Sequence, residues 1–359
     1  MLRFILKRLY YGVFVLFGVV TLVFFLFNIL PGDPARMMLG QRADISSVEA
    51  INRELGRNQP VYVQYLGFLN DLSPVSYHNL SDKGSLWYPD SSKYAPFISL
   101  VSAGNTKIIL KKPYLRRSYQ SKRDVSDILA QAFPNTMLLA TVAMGFAVIV
   151  GVFIGILTAI RKDTFFDRLA LIISVLGMSL PSFFAAILMA WLFAFVLADY
   201  TGLSMFGSLY TVDDFGRGEF LDLKNLILPA ITLGIRPLAI IVELTRSSML
   251  EVLSQDYIRT ARAKGLSNFR VLSRHALRNA LNPVVTAVSG WFASLMAGAV
   301  FVEYVFDWKG VGVVIVDGLE KYDFPVVMGA VLFIAVLLVI INIFVDIIYG
   351  LLDPRVRLA

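Results

Sequence analysis

The side chains that most often do acid–base or metal chemistry are scarce in this sequence. Cysteine is absent, and His78 and His275 are the only histidines. Disulfides and thiolate metal sites are excluded, and two distant histidines argue against a multi-histidine site. His275 lies in a basic stretch without an evident carboxylate partner, so packing or docking accounts for it better than catalysis. No G-x-x-x-x-G-K-[ST] run occurs, so the chain has no phosphate loop of that kind to cradle ATP. No Ser/His/Asp or Cys/His set is suggested either. The expectation is a protein that is not an enzyme, with no catalytic, cofactor-binding or metal-binding residue.

The chemistry that remains is charge, and it is concentrated. Between Arg246 and Asn282 fall seven basic residues, Arg246, Arg259, Arg262, Lys264, Arg270, Arg274 and Arg278, opposed only by Glu251 and Asp256. The pattern predicts two short helices broken at Gly265, the residue type best able to take the backbone angles that end a helix. In the second helix Leu266, Phe269, Leu272 and Ala276 recur at three- and four-residue spacing, which predicts an apolar stripe. Arg270, Arg274 and Arg278 are four apart and share another face. Two readings compete. The charges of a cytoplasmic loop can do no more than fix membrane topology. Alternatively, the hairpin is a docking surface for a cytosolic partner. The stripe favours docking, because a topology anchor needs no helical periodicity.

The elements that position this hairpin are membrane spans. Of 359 residues 57% are hydrophobic, and several apolar runs reach the ~20 residues that cross a hydrocarbon core as helix. The net charge of +7 belongs to the membrane flanks rather than to a nucleic-acid site, so no nucleic-acid partner is expected. The first apolar run, Leu9 to Leu30, is too long for a signal peptide and lacks a small-residue cleavage site. It stops at Pro31-Gly32-Asp33-Pro34. Residues 31–128 read as one long external region, with helix from Ser46 to Leu72, a start or kink at Pro60, and candidate strands at Phe97–Val101 and Lys107–Leu110. Five further spans are expected: Asp127–Ile160, Leu169–Leu197, Leu226–Met249, Val284–Val302 and Pro325–Leu351. The two short outer loops hold Arg217, Lys224, Lys309 and Lys321 against ten Asp/Glu, while the inner segments hold fifteen Lys/Arg. That asymmetry predicts six spans with both termini in the cytoplasm. The fold class is therefore an all-α integral membrane protein of six helices with some β in its external region.

Polar residues inside the spans mark function or packing. Arg236 and Glu243, seven residues apart, share a helix face but are separated by about 10 Å of rise, too far for an easy ion pair. Asn342 and Asp346 are four apart and face one way, which suits interhelical hydrogen bonding. Gly290, Ser294 and Gly298 recur every four residues as a close-packing face. Pro181 falls mid-span, where neighbouring helices must satisfy the carbonyl that it frees.

The order of motifs resembles the permease subunits of bacterial ABC importers for peptides and nickel, on the dipeptide/oligopeptide side. The resemblance rests on LPGDPARMMLG, ELGRNQPVYVQYLGFL, FPNTMLLA, MSLPSFFAAIL, LTRSSMLEVLSQDYIRTARAKGLS, RHALRNALNPVV, GAVFVEYVFDWKGVG and DIIYGLLDPRVR, and covers nearly the whole chain. It implies a type I importer permease fold. Residues 1–30 would be the cytoplasmic end and first span, 31–128 the periplasmic region with an insertion at 73–113, 129–351 the permease core with a coupling loop at 250–283, and 352–359 a cytoplasmic tail. It also implies that RTARAKG is the coupling motif, with Arg259, Thr260, Ala261 and Gly265 in the motif positions and Ala263, Leu266, Phe269, Arg270, Arg274 and His275 alongside. The family's Glu position is Arg259 here, and Lys309 stands where the family usually has Pro.

The resemblance implies partners as well. These are a second homologous permease, two cytosolic ATPases that carry the ATP and Mg, a periplasmic or lipid-anchored substrate-binding protein, and the lipid of the bacterial inner membrane. Arg236 and Glu243 become candidates for the translocation pathway, with Arg236 meeting a substrate carboxylate. Two other classes stay open at this point, an ion-gradient-driven secondary transporter and a membrane scaffold that recruits a cytosolic partner. The sequence does not select among dipeptides, oligopeptides, nickel chelates or another solute.

Overall fold

A computed structural model describes residues 2–29, 58–81, 85, 87–94, 96–212 and 218–352. The chain divides into two compact units. One comprises residues 1–6, 132–313 and 340–359, the other residues 7–131 and 314–339. Among the described residues four helices are long and apolar enough to cross a membrane, and six spans result if each of two bent pairs counts as one.

The second unit begins in α1 (Leu2–Ile29) and contains α2 (Val61–Leu72), which starts immediately after Pro60. Proline suits that place because it has no N–H to leave unpaired at a helix start. The Ser46–Arg57 part of the predicted helix and residues 353–359 of the predicted cytoplasmic tail 352–359 lie outside the described residues. Phe68 of α2 packs with Val23 and Phe24 of α1 and with Met328 and Leu332 of the last helix, and the Tyr65 hydroxyl shares a 2.7 Å hydrogen bond with Thr21. The chain then enters a three-stranded antiparallel sheet of β1 (Val75–Asn79), β2 (Ile98–Ala103) and β3 (Thr106–Leu110), in the order β1-β3-β2, with the short helix α3 (Ser91–Tyr94) before β2. The two candidate strands are present. Strand β1 escaped notice because its sequence, VSYHN, lacks a β-branched run.

The first unit is the helical core. It takes in most of α4 (Val125–Ile160), then α5 (Phe165–Ser179) and α6 (Ser182–Trp191), which leads through a π-helical turn at Leu192–Val196 to the short α7 (Ala198–Thr201). Pro181 falls between the two arms of a bent pair. The chain turns by 113° between the two arms of this span, and Pro181 with extended backbone is the N-cap of α6. Its ring and missing N–H break the helical ladder, and Leu180 just before it is forced into the extended region (ψ 128°). After a two-stranded ribbon, β4 (Tyr210–Val212) with β5 (Glu219–Leu221), comes α8 (Lys224–Leu253), which packs most extensively on α5 and on a later helix, α11 (Leu277–Phe306). The close approach of α8 to α4 depends on Gly155, where a Cβ would meet the Thr245 Cβ at 2.6 Å and the Val242 carbonyl at 2.9 Å.

Between α8 and α11 lie α9 (Asp256–Ala263), α10 (Asn268–Arg270) and a second π-helical turn, Val271–Ala276. After α11 come α12 (Val311–Glu320) and α13 (Phe324–Leu352).

Candidate functional site

The hairpin predicted from charge and glycine forms as two helices with their hinge at Gly265. Gly265 takes φ +75°, a left-handed conformation. Its N–H donates to the Arg262 carbonyl (2.9 Å), and the Leu266 N–H donates to the Ala261 carbonyl (3.4 Å), the paired bonds of a Schellman ending. A Cβ here would meet nothing within 4 Å, so glycine is needed for backbone freedom and not for space.

One side of the hairpin is sealed against its own spans. Ile258 and Ala261 of α9, and Val271, Ala276 and Ala280 of the returning arm, are buried with Ala159 of α4 and Met249 of α8, flanked by Leu266 and Leu272. Ala261 is therefore small because it packs on the chain's own helices. The predicted stripe divides. Leu266, Leu272 and Ala276 face this cluster, whereas Phe269 is 80% exposed. Phe269 precedes the π-helical turn Val271–Ala276, whose wider period brings Val271 and Ala276, five apart, onto the buried face. A further tie is the Asn279 Nδ2, which donates to the Tyr257 hydroxyl at 2.9 Å.

The other side is polar and open. Arg259, Thr260, Arg262, Ala263, Lys264, Arg270, Arg274 and Arg278 are exposed, and His275 is half-buried. Phe269 stands among these cations as a solvent-facing ring. Arg259 reaches Asp256 at 3.3 Å, with both side chains largely in solvent, a contact that contributes little.

The root of the hairpin is held by residues that the sequence reading missed. In the last third of α8, Arg246 binds Asp167 of α5 through two parallel bonds, Nε to Oδ1 at 2.6 Å and a terminal nitrogen to Oδ2 at 2.7 Å. The Asp167 side chain is 2% exposed and also accepts the Asp163 N–H at 2.9 Å. Thr164 caps the same helix start. Arg246 counted only as one more basic residue of the inner loop. Its partner lies 79 positions away, and a lone Asp in a short inner loop carries no periodic signal.

A second missed cluster surrounds Glu303. This carboxylate is fully buried, and its Oε2 accepts the Gly312 N–H at 2.6 Å. A side chain on Gly310 would collide with the carboxylate, and one on Gly312 would meet the Val300 Cα at 2.5 Å. Trp308, fully buried, donates from Nε1 to the Asn135 carbonyl (3.0 Å), and Val311 N–H donates to Thr136 Oγ1 (2.8 Å). The two sequence motifs FPNT and EYVFDWKGVG thus meet in space and lock the turn between α11 and α12.

The remaining predicted positions are spread along the spans. Arg236 and Glu243 are both exposed on α8, on a line that continues to the exposed Ser247, while fourteen other residues of the same helix are buried. Gly290 and Ser294 are exposed on α11, and Gly298 follows one turn later in the same helix. On α13 Asn342 is exposed and Asp346 half-buried.

The described spans thus carry a basic hairpin seated on their own helices. Residues 151–358 match the family described as binding-protein-dependent transport system inner membrane component, and residues 1–89 match its N-terminal component family. The chain belongs to this family and is a multi-pass inner-membrane permease. Such a system works with a substrate-binding protein and ATPase partners. Among its relatives are a di/tripeptide transport system permease protein of Pseudomonas aeruginosa, 36% identical over 99% of both chains, and a dipeptide transport system permease protein of Escherichia coli K12, 35% identical over 99% of both. A glutathione transport system permease protein of Escherichia coli O6:H1 is 35% identical over 99% of both. The fold is similar to that of a chain of the MetNI methionine ABC transporter in an inward-facing form, with a TM-score of 0.50 and 16% identity over 64% of this chain and 97% of that one.

Proposed function

We propose that this permease imports peptides or peptide-like solutes, pairs with a second homologous permease, and couples to cytosolic ATPases through the loop Asp256–Pro283. The observation that carries the coupling assignment is Phe269. An aromatic ring at 80% exposure, held on an ordered hairpin that buries Ile258, Ala261, Val271 and Ala276, is the form of an anchor awaiting a pocket. The surrounding arginines suit an acidic rim on the ATPase. The hairpin belongs on the cytoplasmic side, with both termini, by the distribution of positive charge.

The peptide assignment is supported by the three relatives named above and by α8. A charged pair exposed to lipid is costly, so the stripe Arg236, Glu243, Ser247 belongs to a water-filled pathway or a protein interface. A guanidinium on that stripe suits the carboxylate of a peptide. The exposed small residues of α11 suit close contact with the second permease. The deciding experiment reconstitutes the complete importer and measures uptake and substrate-stimulated ATP hydrolysis for Phe269→Ala and Arg236→Ala. Loss of ATPase co-purification with Phe269→Ala is expected. Reduced uptake with intact assembly is expected for Arg236→Ala. Unchanged uptake in both variants would overturn both assignments.

A further inference from the structure

The three-stranded sheet has its polarity reversed. In an antiparallel sheet, residues directly opposite each other point to the same side. The register therefore defines two faces. One carries the rows Ser76–Ile109–Ser99 and His78–Lys107–Ser102, and the other the rows Val75–Leu110–Ile98, Tyr77–Ile108–Val101 and Asn79–Thr106–Ala103. The first face is enclosed over β1 and at Ile109, and open at Ser99 and Ser102 on the edge strand. Ser76, His78 and Ile109 are almost fully enclosed. His78 is held between Ser76 Oγ (2.8 Å) and the Trp87 carbonyl (3.2 Å), and Ser99 and Ser102 bond each other at 3.1 Å. The second face bears no charged residue, yet Val75, Tyr77, Ile98, Val101, Ile108 and Leu110 are all exposed. A bulge between Ser99 and Val101 puts Val101 into the apolar row and Ser102 into the polar one. A solvated sheet alternates the other way.

We propose that this apolar face rests on the bilayer, at the level of the phospholipid headgroups and the first acyl carbons. The depth of the neighbouring element points there. Helix α2 packs through Phe68, in its last half, on Val23 and Phe24, residues near the end of the spanning run Leu6–Phe27, so α2 ends near the depth of the hydrocarbon edge. Its Tyr62 and Leu66, one turn apart, are exposed. The sheet follows after Ser73 and Pro74, and Asn70 of α2 pairs with Tyr77 of β1 through both side-chain amide atoms (2.8 and 2.9 Å). The apolar surface of the sheet therefore continues from a helix already anchored at the membrane surface. Lys112, exposed, continues the phase of Ile108 and Leu110 and suits anionic headgroups. Strand β2 is a sheet edge with every residue exposed. Its unpaired backbone groups need water, which keeps the sheet at the interface and out of the hydrocarbon core.

Because the chain has no cysteine, Val101→Cys and Ser102→Cys each supply one labelling site on neighbouring residues of opposite faces. Each full-length variant is labelled with bimane and reconstituted in phosphatidylethanolamine/phosphatidylglycerol nanodiscs, both alone and in the complete importer. It is then quenched with doxyl lipid or with aqueous iodide. Quenching by doxyl lipid at Val101→Cys about threefold above that at Ser102→Cys, with the reverse order for iodide, is expected of an interfacial face. Equal iodide access at both sites overturns the proposal in favour of a solvated sheet. Shielding of Val101→Cys from both quenchers overturns it in favour of a protein cover.

Discussion

The hairpin and the sheet are two small structures built by opposite rules. The hairpin Asp256–Ala280 puts Ile258, Ala261, Val271 and Ala276 inside and arginines outside. The sheet puts Ser76 and His78 inside and Tyr77, Ile108 and Val101 outside. The first has the polarity of a surface facing water, with Phe269 as its most exposed aromatic ring. The second has the polarity of a surface facing something apolar. Burial alone therefore does not say which face of an element is functional. What matters is the mismatch between residue type and surroundings, because exposed apolar side chains in an ordered structure imply a cover.

The largest effect expected from breaking the hairpin's support is that of Arg246→Met. It leaves the Asp167 carboxylate buried without its counter-ion, which costs about 3–5 kcal/mol and is read as a lowered unfolding temperature of the purified subunit. The double variant Asp167→Leu/Arg246→Met recovers part of this, since only the Asp163 N–H then lacks its acceptor. Next is Ile258→Ala, which removes a fully enclosed side chain and is expected to cost about 2–4 kcal/mol, measured in the same way. Gly265→Val is expected to separate stability from function. Positive φ is unfavourable for a branched residue by about 1–3 kcal/mol, yet no clash follows, so the protein inserts in the membrane while ATPase co-purification and uptake fall at least about tenfold, the size of effect expected for 1.4 kcal/mol of docking. If the hairpin only fixed topology, uptake would survive. Phe269→Ala is expected to leave the unfolding temperature unchanged and to weaken ATPase binding by about tenfold.

The smallest effect probes the polar interior of the sheet's unit. Lys111 is 5% exposed. Its ammonium donates to the Asp71 carbonyl at 2.5 Å and lies 4.6 Å from the centre of the Tyr94 ring. Burial pushes its pKa down to about 8, with Asp71 opposing the shift. An unfolded lysine titrates near 10.4. Between about pH 8 and 10.4 the unfolded chain therefore holds the extra proton, and stability rises with pH across that window. Thermal unfolding of Lys111→Met is expected to lose this rise, whereas a sheet with an apolar interior would show none in either protein. Burial also depresses the His78 pKa, in keeping with a neutral ring between Ser76 and Trp87.

Much of the framework was legible from composition and punctuation. Long apolar runs, the charge asymmetry, the glycine hinge and the second and third strands follow from the period of the residues and from the backbone limits of Gly and Pro. Three things were not legible. The 113° turn at Pro181 needed the three-dimensional path, because a mid-span proline is compatible with a kink or a break. The outward position of Phe269 departs from the stripe that its spacing from Leu266 and Leu272 predicts. The Arg246–Asp167 and Glu303–Gly312 contacts join residues whose sequence neighbours show nothing unusual.

Sequence alone determined that this chain lives in a membrane, carries a basic, glycine-hinged hairpin and has no phosphate loop of its own, because hydrophobicity, charge and motif are properties of local residues. Only the tertiary structure decided which side of each element is covered. Phe269 or Ala261, Tyr77 or His78, differ in role through what packs against them, and packing is set by distant segments that the local pattern cannot see.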